Sequence, residues 1–358
     1  MPKVTIIGNG SWGTGLGIAI ARKGFGVKIW TRTQEAAEKL NQARENATYL
    51  PGIPFPSRLS ATSSMEEAMN KTELVILAVP AQNMRPNVRA VKNYLNDSTL
   101  IVSATKGLEV GSGKRMSEVI SEELDAHLHS NIGVLSGPNI AHETARGLLS
   151  VTVAAAYDIA VAQRVHELVN SNHFCVFTST DVIGVELGGA LKNVITLGAG
   201  ITDGLGYGNN AKAALIIRGL SEIIILGTTL GANPITFIGL TCLGDLLATC
   251  FSPFSRNYSV GKELAKGRPL QAIMDSMPHV AEGVTTTTAA LQLGKKAGVS
   301  LPLTEQIYKV IYEGFDVRKA AAGFVAYPVG GEPLEIAELV RLVVHRIGGA
   351  WQPISLMN

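Results

Sequence analysis

A glycine pattern near the start of the chain constrains its fold more than any other feature. Residues Gly8–Gly13 read Gly-Asn-Gly-Ser-Trp-Gly and stand between a β-branched run, Lys3–Ile7, and a helical pattern. In this G-x-G-x-x-G context the first glycine permits a tight turn, the second lets a pyrophosphate approach, and the third allows close helix–strand packing. The helix N-terminus adds N–H groups and a positive dipole end. The pattern therefore predicts a dinucleotide site at Gly8, Gly10 and Gly13.

Strand and helix patterns alternate over the first 180 residues. The strand patterns are short β-branched or aliphatic runs at Lys3–Ile7, Val27–Trp30, Leu74–Ala78, Thr99–Ser103, Gly133–Leu135, Val151–Ala154 and Phe174–Phe177. Helical patterns stand between most of them, at Trp12–Lys23, Gln34–Arg44, Met84–Leu95, Lys114–Asp125 and Ile159–Asn170. This alternation predicts an α/β fold with a doubly wound, mostly parallel sheet of the Rossmann type. The loop Asn46–Pro56 holds three prolines and a glycine, which predicts an irregular excursion.

After about Asp181 the strand signals nearly vanish and long helical patterns follow. They cover Val182–Ile201, Ala211–Leu230, Pro234–Cys250, Ser259–Ala265, Leu270–Met277, Thr285–Ala297 and Pro302–Glu313. We expect a dinucleotide-binding domain over residues 1–180 and an all-helical, substrate-binding domain over residues 181–358, with the active site in the cleft between them. The tail from Phe324 resembles a loop followed by a short helix near Leu334–Arg346.

Composition excludes several classes of protein. The chain is 46% hydrophobic, so it is not disordered, and its formal net charge of +2 offers no electrostatic argument for nucleic acid or an acidic membrane surface. The three cysteines, Cys175, Cys242 and Cys250, match neither a disulfide framework nor a zinc pattern, so we expect small buried thiols and no metal. The first residues begin a strand at once and carry no export signal, which favours the cytoplasm.

One uncharged stretch, residues 223–244, has the length of a membrane span. It contains four glycines, four threonines and a break at Asn233–Pro234. These features favour two buried helices joined by a turn over a transmembrane helix.

The end of the second strand bears on the choice of cofactor. An enzyme that binds NAD usually has an acidic residue there for the ribose 2′-hydroxyl, whereas a nearby arginine accommodates the 2′-phosphate of NADP. Here Arg32 follows the strand, and no carboxylate appears before Glu35. Arg32 therefore favours NADP; the alternative is a solvated surface arginine.

Two further polar groups follow strand patterns. Lys106 lies in Ala-Thr-Lys-Gly-Leu-Glu just past the run Thr99–Ser103, where ligands of parallel sheets bind. Lys106 can thus reach a phosphate or a nicotinamide, although surface lysines are common. Asn139, in Ser-Gly-Pro-Asn, is either a ligand group or the N-cap of the next helix, and capping is the favoured single role.

A lysine and an aspartate stand alone in apolar helical patterns. Lys192 lies in Val-Glu-Leu-Gly-Gly-Ala-Leu-Lys-Asn, where burial is expensive without a purpose. Desolvation would lower its pKa and suit it to proton exchange near neutral pH; the alternative is a paired structural lysine. Asp245 is the only charged residue between Glu222 and Arg256, so we expect a basic partner such as Lys192 beside it.

The motif Ser255-Arg256-Asn257 precedes a helical pattern. Its hydroxyl, guanidinium and amide groups suit a phosphate, because arginine can make planar, bidentate contacts. The alternative is a helix cap followed by a surface arginine.

Together these motifs resemble the NAD(P)-dependent sn-glycerol-3-phosphate dehydrogenase family, and the bacterial soluble form most of all. The resemblance spans roughly residues 3–315 in the expected order and includes Gly208-Asn-Asn-Ala-Lys and Ala281-Glu-Gly-Val. It implies interconversion of dihydroxyacetone phosphate and sn-glycerol 3-phosphate with NADP(H) or NAD(H), in support of glycerophospholipid synthesis. We also expect a homodimer.

The resemblance also implies roles for individual residues. The catalytic group would comprise Lys192 as proton donor and acceptor, with Asp245 and Lys106. The cofactor would contact the glycine turn and Ser11, Trp12, Arg32, Tyr49, Lys106, Ala141, Arg256, Val280 and Glu282. The substrate would contact Lys106, Gly137, Asn139, Lys192, Asp245, Thr249, Ser255, Arg256 and Asn257.

Three departures from the family pattern stand out: Asn9 in place of alanine, Pro138-Asn139-Ile140 in place of Pro-Ser-Phe, and the tail after about Gly323. Two other functions stay open on the residues alone. One is a related dehydrogenase of a hydroxy acid, since Arg256 could hold a carboxylate. The other is a redox sensor that binds the dinucleotide without turnover, which would need neither Lys192 nor Asp245.

Overall fold

The computed structural model describes residues 3–277 and 280–325. Ten strands lie between Lys3 and Ser179: β1 Lys3–Ile7, β2 Gly26–Trp30, β3 Glu45–Asn46, β4 Leu50–Pro54, β5 Leu59–Thr62, β6 Leu74–Leu77, β7 Leu100–Ser103, β8 Ile132–Ser136, β9 Ser150–Ala156 and β10 Phe174–Ser179. The helices of this part are α1 Ser11–Arg22, α2 Gln34–Ala43, α3 Met65–Met69, α4 Met84–Val91, α5 Met116–Glu123, α6 Ala141–Arg146 and α7 Ile159–Val169.

Eight strands form one sheet in the order β10-β9-β8-β7-β6-β1-β2-β5. Every pairing in this sheet is parallel except β8 with β9. The central strand β6, Leu-Val-Ile-Leu, is buried throughout because helices cover both faces, as parallel strands require. The predicted doubly wound, mostly parallel sheet is therefore confirmed, and most predicted strand ends lie within two residues of the observed ones.

The rest of the described chain is helical. It consists of α8 Val182–Gly204, α9 Gly208–Thr229, α10 Pro234–Phe237, a π-helical turn at Leu240–Gly244, α11 Asp245–Cys250, α12 Arg256–Ala265, α13 Leu270–Asp275, α14 Glu282–Ala297, α15 Pro302–Tyr312 and α16 Val317–Val325. The central helix α8 is almost entirely buried among the others. The chain thus combines a Rossmann-type sheet domain with a helical domain. The helix predicted near Leu334–Arg346 lies outside the described residues.

The loop predicted at Asn46–Pro56 is wrong in part. Strands β3 and β4 pair there as a small antiparallel hairpin, and β5 follows as the edge of the main sheet beside β2. Arg44 holds this excursion in place, because its guanidinium donates to the carbonyl oxygens of Phe55, Pro56 and Leu59. The prolines of β4 are tolerated because the strand has a partner on only one side.

The single helix predicted at Pro234–Cys250 is also wrong. Gly239 adopts an extended backbone conformation after α10, and a π-helical turn then leads into α11. The turn closes with a bond from the amide of Gly244 to the carbonyl of Gly239, at 3.0 Å. Asp245 therefore begins a separate short helix, so the direction of its side chain is set by this turn and not by α10.

The two buried helices predicted within residues 223–244 are confirmed in part: α9 ends at Thr229, and the one-turn helix α10, which Asn233 caps through the amide of Ile235, buries Pro234 and Phe237 but leaves Ile235 exposed. Among the described residues, one helix is long and apolar enough to cross a membrane, α8, and 94% of its apolar window is buried inside the protein. Burial of this kind is typical of a core helix. Cys242 and Cys250 are buried thiols and Cys175 is half-buried.

Candidate active site

The glycine turn joins β1 to α1 and leaves an open position above the helix N-terminus. Gly8 has a φ of +110°, and a Cβ there would lie 2.6 Å from the carbonyl oxygen of Ala78. A Cβ at Gly13 would lie 2.3 Å from the carbonyl oxygen of Gly8, whereas one at Gly10 would meet nothing within 4 Å. Gly8 and Gly13 are therefore required by the packing of the turn, and Gly10 is the glycine that leaves room for a ligand.

The N-terminus of α1 fits the pyrophosphate of a dinucleotide. Within the described part of the chain no side chain caps this helix, and its first turn carries no acidic residue. Its N–H groups and positive dipole end therefore face the space over Gly10. Ser11 and Trp12 form that first turn, and the indole N–H of Trp12 is buried with no hydrogen-bond partner among the described residues.

The other cofactor positions predicted by the resemblance lie on separate elements. Arg32 is exposed just beyond β2, and Tyr49 is half-buried in the β3–β4 hairpin. Ala141 begins α6, and its carbonyl oxygen would lie 3.1 Å from a Cβ at Gly15 of α1. Val280 is exposed, and its carbonyl oxygen accepts a 2.9 Å hydrogen bond from Arg256 Nη1.

Glu282 reaches from the helical domain to the strand ends of the sheet. Its Oε1 accepts from the amide of Ala81, which follows β6, at 3.2 Å. Its Oε2 would lie 3.2 Å from a Cβ at Gly107, beside Lys106. Burial raises the pKa of Glu282 to about 7, although the hydrogen bond from the amide of Ala81 and the positive charge of Arg256 both act to lower it. The side chain therefore lies where the helical domain meets the strand ends of the sheet.

Two lysines converge on one buried carboxylate where the sheet domain meets the helical domain. Lys106, on the loop after β7, donates from Nζ to Oδ2 of Asp245 at 2.7 Å and to the carbonyl of Gly137 at 2.7 Å. Lys192, in the middle of α8, lies 3.1 Å from Oδ1 of the same aspartate. Asp245 is 1% exposed and Lys192 is 3% exposed. Lys192 is the basic partner that the sequence predicted for Asp245. The contact of Lys106 with the same carboxylate was not predicted.

Burial decides the protonation behaviour of Lys192. It lowers the pKa of Lys192 to about 8, although Asp245 opposes the shift; the positive charge of Lys106 lowers the pKa further. Two ammonium groups beside one carboxylate leave a net positive charge, which favours an anionic ligand. A lysine that gains and loses its proton near neutral pH can exchange a proton with a bound hydroxyl or carbonyl group.

Thr249 is placed beside this centre, but its hydroxyl is already bonded. It donates to the carbonyl of Asp245 at 2.7 Å and lies 3.2 Å from the hydroxyl of Thr196. The hydroxyl of Thr196 in turn donates to the carbonyl of Lys192 at 2.9 Å. Thr249 therefore links α11 to α8 behind the two charged groups.

The Ser255–Asn257 motif begins α12, and its members have different environments. Ser255 caps the helix by accepting from the amide of Tyr258, as the capping alternative had it. Asn257 is buried with both ends of its amide engaged: Nδ2 donates to Oδ1 of Asn193, and Oδ1 accepts from the amide of Gly283, both at 2.9 Å. Arg256 is half-buried, its Nη1 donates to the carbonyl oxygen of Val280, and it is the one charged side chain of this motif.

Asn139 does not cap α6, and the favoured capping role is wrong. Ile140 occupies the N-cap position, while Asn139 Nδ2 donates to the carbonyl of Val151 at 2.8 Å and its Oδ1 accepts from the hydroxyl of Thr152. The side chain thus fastens the turn after β8 to β9. Gly137, in the same turn, supplies the carbonyl that receives Lys106.

Sequence reasoning missed several contacts between the sheet domain and the helical domain. Asn193 connects Asn257 to the carbonyl of Lys106 (3.4 Å) and so ties α8 to the loop after β7. His142 of α6 stacks on the ring of Phe254, with 4.8 Å between ring centroids. No local pattern signals either contact, because each joins residues more than 50 positions apart.

Glu186, near the start of α8, contacts the sheet domain at a different place from Asn193. Its carboxylate binds Arg115 at 2.7 Å and also accepts from the amide and hydroxyl of Ser117, at the start of α5. Glu186 therefore fastens α8 to the sheet domain.

The glycine turn follows β1 and Lys106 follows β7, and both strands run parallel to β6 between them, so the turn and the lysine stand at the same edge of the sheet. A two-domain, dinucleotide-dependent dehydrogenase is the class of protein that this fold and this site define. Comparison with known proteins narrows the class to one family. Residues 3–162 match the N-terminal domain of NAD-dependent glycerol-3-phosphate dehydrogenase, and residues 181–322 match its C-terminal domain. The chain belongs to the NAD-dependent glycerol-3-phosphate dehydrogenase family.

Individual relatives agree with this assignment. A glycerol-3-phosphate dehydrogenase (NAD(P)+) of Dehalococcoides mccartyi strain 195 is 50% identical over 346 residues, which cover 95% of this chain and 96% of the relative. One from Bacillus cytotoxicus is 46% identical, over 91% of this chain and 95% of the relative. The crystal structure of glycerol-3-phosphate dehydrogenase from Coxiella burnetii superposes with a TM-score of 0.86 at 31% identity, covering 91% of this chain and 99% of that one.

Proposed function

We propose that this chain interconverts dihydroxyacetone phosphate and sn-glycerol 3-phosphate with NADH or NADPH. The observation that carries the proposal is the pair of lysines on the buried carboxylate of Asp245, at 2.7 and 3.1 Å. Family membership supplies the substrate and the cofactor class, and the net positive charge of this centre suits a phosphorylated triose. The open N-terminus of α1 suits the dinucleotide.

In the direction of reduction, protonated Lys192 donates a proton to the oxygen at C2 of the triose. In the direction of oxidation, the neutral amine accepts that proton from the hydroxyl group. A pKa near 8 allows both forms near neutral pH, and burial is its main cause. When bound, the nicotinamide of the cofactor supplies or accepts the hydride at C2.

Asp245 and Lys106 prepare the site for this exchange. Asp245 holds both ammonium groups, so it orients Lys192 and keeps one negative charge beside two positive charges. Lys106 is also bonded to the carbonyl of Gly137, which fixes it at the strand ends where substrate and cofactor would meet. We assign to Arg256, near the start of α12, the main contact with the substrate phosphate, because guanidinium groups bind phosphates in a bidentate manner.

The remaining predicted contacts belong to the same proposal. Ser255, Asn257, Asn139 and Thr249 would serve the substrate through backbone groups or by supporting their neighbours, since their side chains are bonded within the protein. Arg32 would read the 2′-phosphate of NADP. We further propose a domain boundary between residues 180 and 181, a homodimeric state, a cytoplasmic location and a role in supplying glycerophospholipid synthesis.

The test is an assay of NADH and NADPH oxidation with dihydroxyacetone phosphate, run beside unphosphorylated dihydroxyacetone and a 2-ketoacid. We expect turnover with the phosphorylated triose at least ten times more efficient than with either comparison substrate, because charge-assisted hydrogen bonds contribute about 1.5–3 kcal/mol. Preference for the ketoacid would assign the site to another hydroxy-acid dehydrogenase. Cofactor binding without oxidation on any of the three substrates would support a redox sensor.

A further inference from the structure

A second buried lysine of the helical domain, Lys212 on α9, has no part in the proposed chemistry. It is 4% exposed, and its Nζ donates to Oδ2 of Asp203 at 2.6 Å. The same oxygen accepts from the hydroxyl of Tyr258, also at 2.6 Å. Burial and Asp203 raise the pKa of Tyr258 to about 12, so its hydroxyl stays a donor. Asp203 therefore joins the end of α8 to α9 and α12 at one point.

Lys212 also contacts the other end of the segment that leads into α12. Its Nζ lies 4.3 Å from the centroid of the Phe251 ring, within the range of a cation–π interaction. Phe251 directly follows α11, and Tyr258 lies in the first turn of α12. Lys212 thus holds both ends of the segment Phe251–Tyr258, one directly and one through Asp203.

That segment carries Ser255 and Arg256, the groups to which we assign the substrate phosphate. The end of the segment at Tyr258 is bonded to Asp203 of α8. The same helix carries Lys192, eleven residues before Asp203. Lys212, Asp203, Tyr258 and Phe251 therefore connect two parts of the proposed site. One part is α8, which carries Lys192, and the other is the segment Phe251–Tyr258, which carries Arg256.

Stability alone does not account for a charge at this position. A buried ion pair often stabilises a fold no more than apolar residues of similar size do, because both charges must be desolvated. Apolar residues at both positions 203 and 212 would fill the same space without that cost, whereas methionine at position 212 alone would leave the Asp203 carboxylate without its lysine. What an apolar pair could not supply is a fixed direction toward both Tyr258 and Phe251.

We propose that Lys212 is a positioning residue for phosphate recognition: through Asp203 and Phe251 it fixes the segment Phe251–Tyr258 against α8 and so sets the place of Arg256 relative to Lys192. This inference rests on the proposed function, in which Arg256 binds the substrate phosphate. Misplacement of a binding group by about 1 Å can cost a hundredfold in rate. Loss of Lys212 would accordingly weaken the use of phosphorylated substrate without touching the reacting atoms.

The experiment compares wild type with Lys212→Met, Lys212→Arg and Tyr258→Phe, and uses Glu222→Gln as the matched control. Glu222 lies on the same helix and accepts hydrogen bonds at the start of α15, so its variant perturbs α9 away from the segment. Two quantities are measured: kcat/KM for dihydroxyacetone phosphate and for dihydroxyacetone at saturating cofactor, and the rise in melting temperature on adding glycerol 3-phosphate.

We expect Lys212→Met to lower kcat/KM for dihydroxyacetone phosphate by about tenfold, mainly through KM, and to leave dihydroxyacetone within about twofold. The rise in melting temperature on adding glycerol 3-phosphate should also become smaller. Lys212→Arg should keep most of the wild-type kcat/KM and most of that rise, because it keeps the charge and the cation–π contact. Tyr258→Phe should give a smaller loss of the same kind, and it keeps the test decisive if Lys212→Met folds poorly. Glu222→Gln should lower the melting temperature without selectivity between substrates.

Two results would overturn the inference. One is an equal loss of kcat/KM on both substrates in Lys212→Met; the other is an unchanged kcat/KM for dihydroxyacetone phosphate in both Lys212→Met and Tyr258→Phe. Its failure is distinguishable from failure of the proposed function. If wild type does not turn over dihydroxyacetone phosphate, or if Arg256→Leu shows no preference between the two substrates, the proposed function or its phosphate site is wrong, and the inference falls with it. If wild type and Arg256→Leu behave as proposed and Lys212→Met does not distinguish dihydroxyacetone phosphate from dihydroxyacetone, the inference alone is wrong.

Discussion

The two halves of the proposed site, one for the dinucleotide and one for the substrate, are built in different ways. The dinucleotide half is a contiguous turn, Gly8–Gly13, in which backbone geometry and missing side chains create the space. In the proposed substrate half, Lys106, Lys192 and Asp245 come from three separate segments and meet only after folding, and Arg256 is supplied by a fourth segment. One half is specified locally, and the other depends on how α8, α11 and α12 pack.

This difference predicts different consequences of mutation. A change in the glycine turn should alter cofactor binding or the fold of a single loop. A change in the assembled half should alter the chemistry and the recognition of the substrate while the cofactor still binds.

The largest effect is expected at Lys192. Substitution by methionine keeps the aliphatic volume and removes the ammonium group, while Asp245 keeps its partner Lys106 at 2.7 Å, so the buried carboxylate is not left alone. Turnover of dihydroxyacetone phosphate should fall by about 10²–10⁴-fold with little change in cofactor affinity. Steady-state kinetics and a cofactor titration check this, with Lys309→Met, at a half-buried lysine of α15 that pairs with Glu305, as control. Near-normal turnover would assign Lys192 to structure.

The next largest effect is expected at Arg256. Replacing it by leucine should lower kcat/KM for dihydroxyacetone phosphate by about ten- to a hundredfold, because a charge-assisted contact with the phosphate is lost. Dihydroxyacetone should be nearly unaffected once cofactor is saturating. Arg268→Leu, at an exposed arginine that follows α12, serves as the matched control. If both substrates lose activity equally, Arg256 serves the cofactor or the fold instead.

Within the glycine turn, two substitutions distinguish a glycine that leaves room for the cofactor, Gly10, from a glycine that the packing of the turn requires, Gly13. Gly10→Ala should fold normally, since its φ of −69° suits alanine and its Cβ would meet nothing, yet it should weaken cofactor binding by about tenfold by filling the ligand's space. Gly13→Ala should destabilise the fold by about 1–3 kcal/mol, because its Cβ would collide with the carbonyl of Gly8. Melting temperatures and cofactor titrations distinguish them. Equal destabilisation by the two would show that Gly10 is structural.

The most limited effect is expected at Arg32, where binding of one cofactor should change and binding of the other should not. Because this exposed side chain follows β2 and no carboxylate precedes Glu35, NADPH should be accepted at least as well as NADH. Arg32→Glu should weaken NADPH binding by about tenfold or more and leave NADH within about threefold. Parallel titrations with the two cofactors measure this. Equal losses would mean that Arg32 does not contact the 2′-phosphate.

The sequence predicted best what depends on neighbouring residues. The glycine turn, the parallel sheet and the buried α8 follow from local patterns of glycine, β-branched and apolar residues. The pairing of Asp245 with a lysine was predictable because a buried charge needs a partner. Strand β5, Leu-Ser-Ala-Thr, was missed since it is short and half polar, and its strand character comes from pairing with β2.

What could not be predicted depends on long-range packing. The π-helical turn before Asp245 interrupts a stretch that is apolar throughout, and no periodicity marks it. Asn139 and Asn257 looked like ligand or capping groups, but each is bonded to backbone or side-chain partners supplied by distant elements. That two lysines share one carboxylate required the fold, because Lys106 and Lys192 lie on different domains.

The pH dependence of kcat/KM in both reaction directions tests the central claim, that Lys192 exchanges the substrate proton, most directly. With a pKa of about 8, Lys192 is protonated below that pH, so reduction of dihydroxyacetone phosphate should fall about tenfold per unit above pH 8. Oxidation of glycerol 3-phosphate needs the neutral amine, so it should rise up to about pH 8 and then level off. Measured from about pH 7 to 10, above the titration of the substrate phosphate, the two profiles should bend in opposite senses at the same pH. Lys192→Met should remove both bends. Profiles that bend in the same sense, or a bend that survives in Lys192→Met, would contradict the claim.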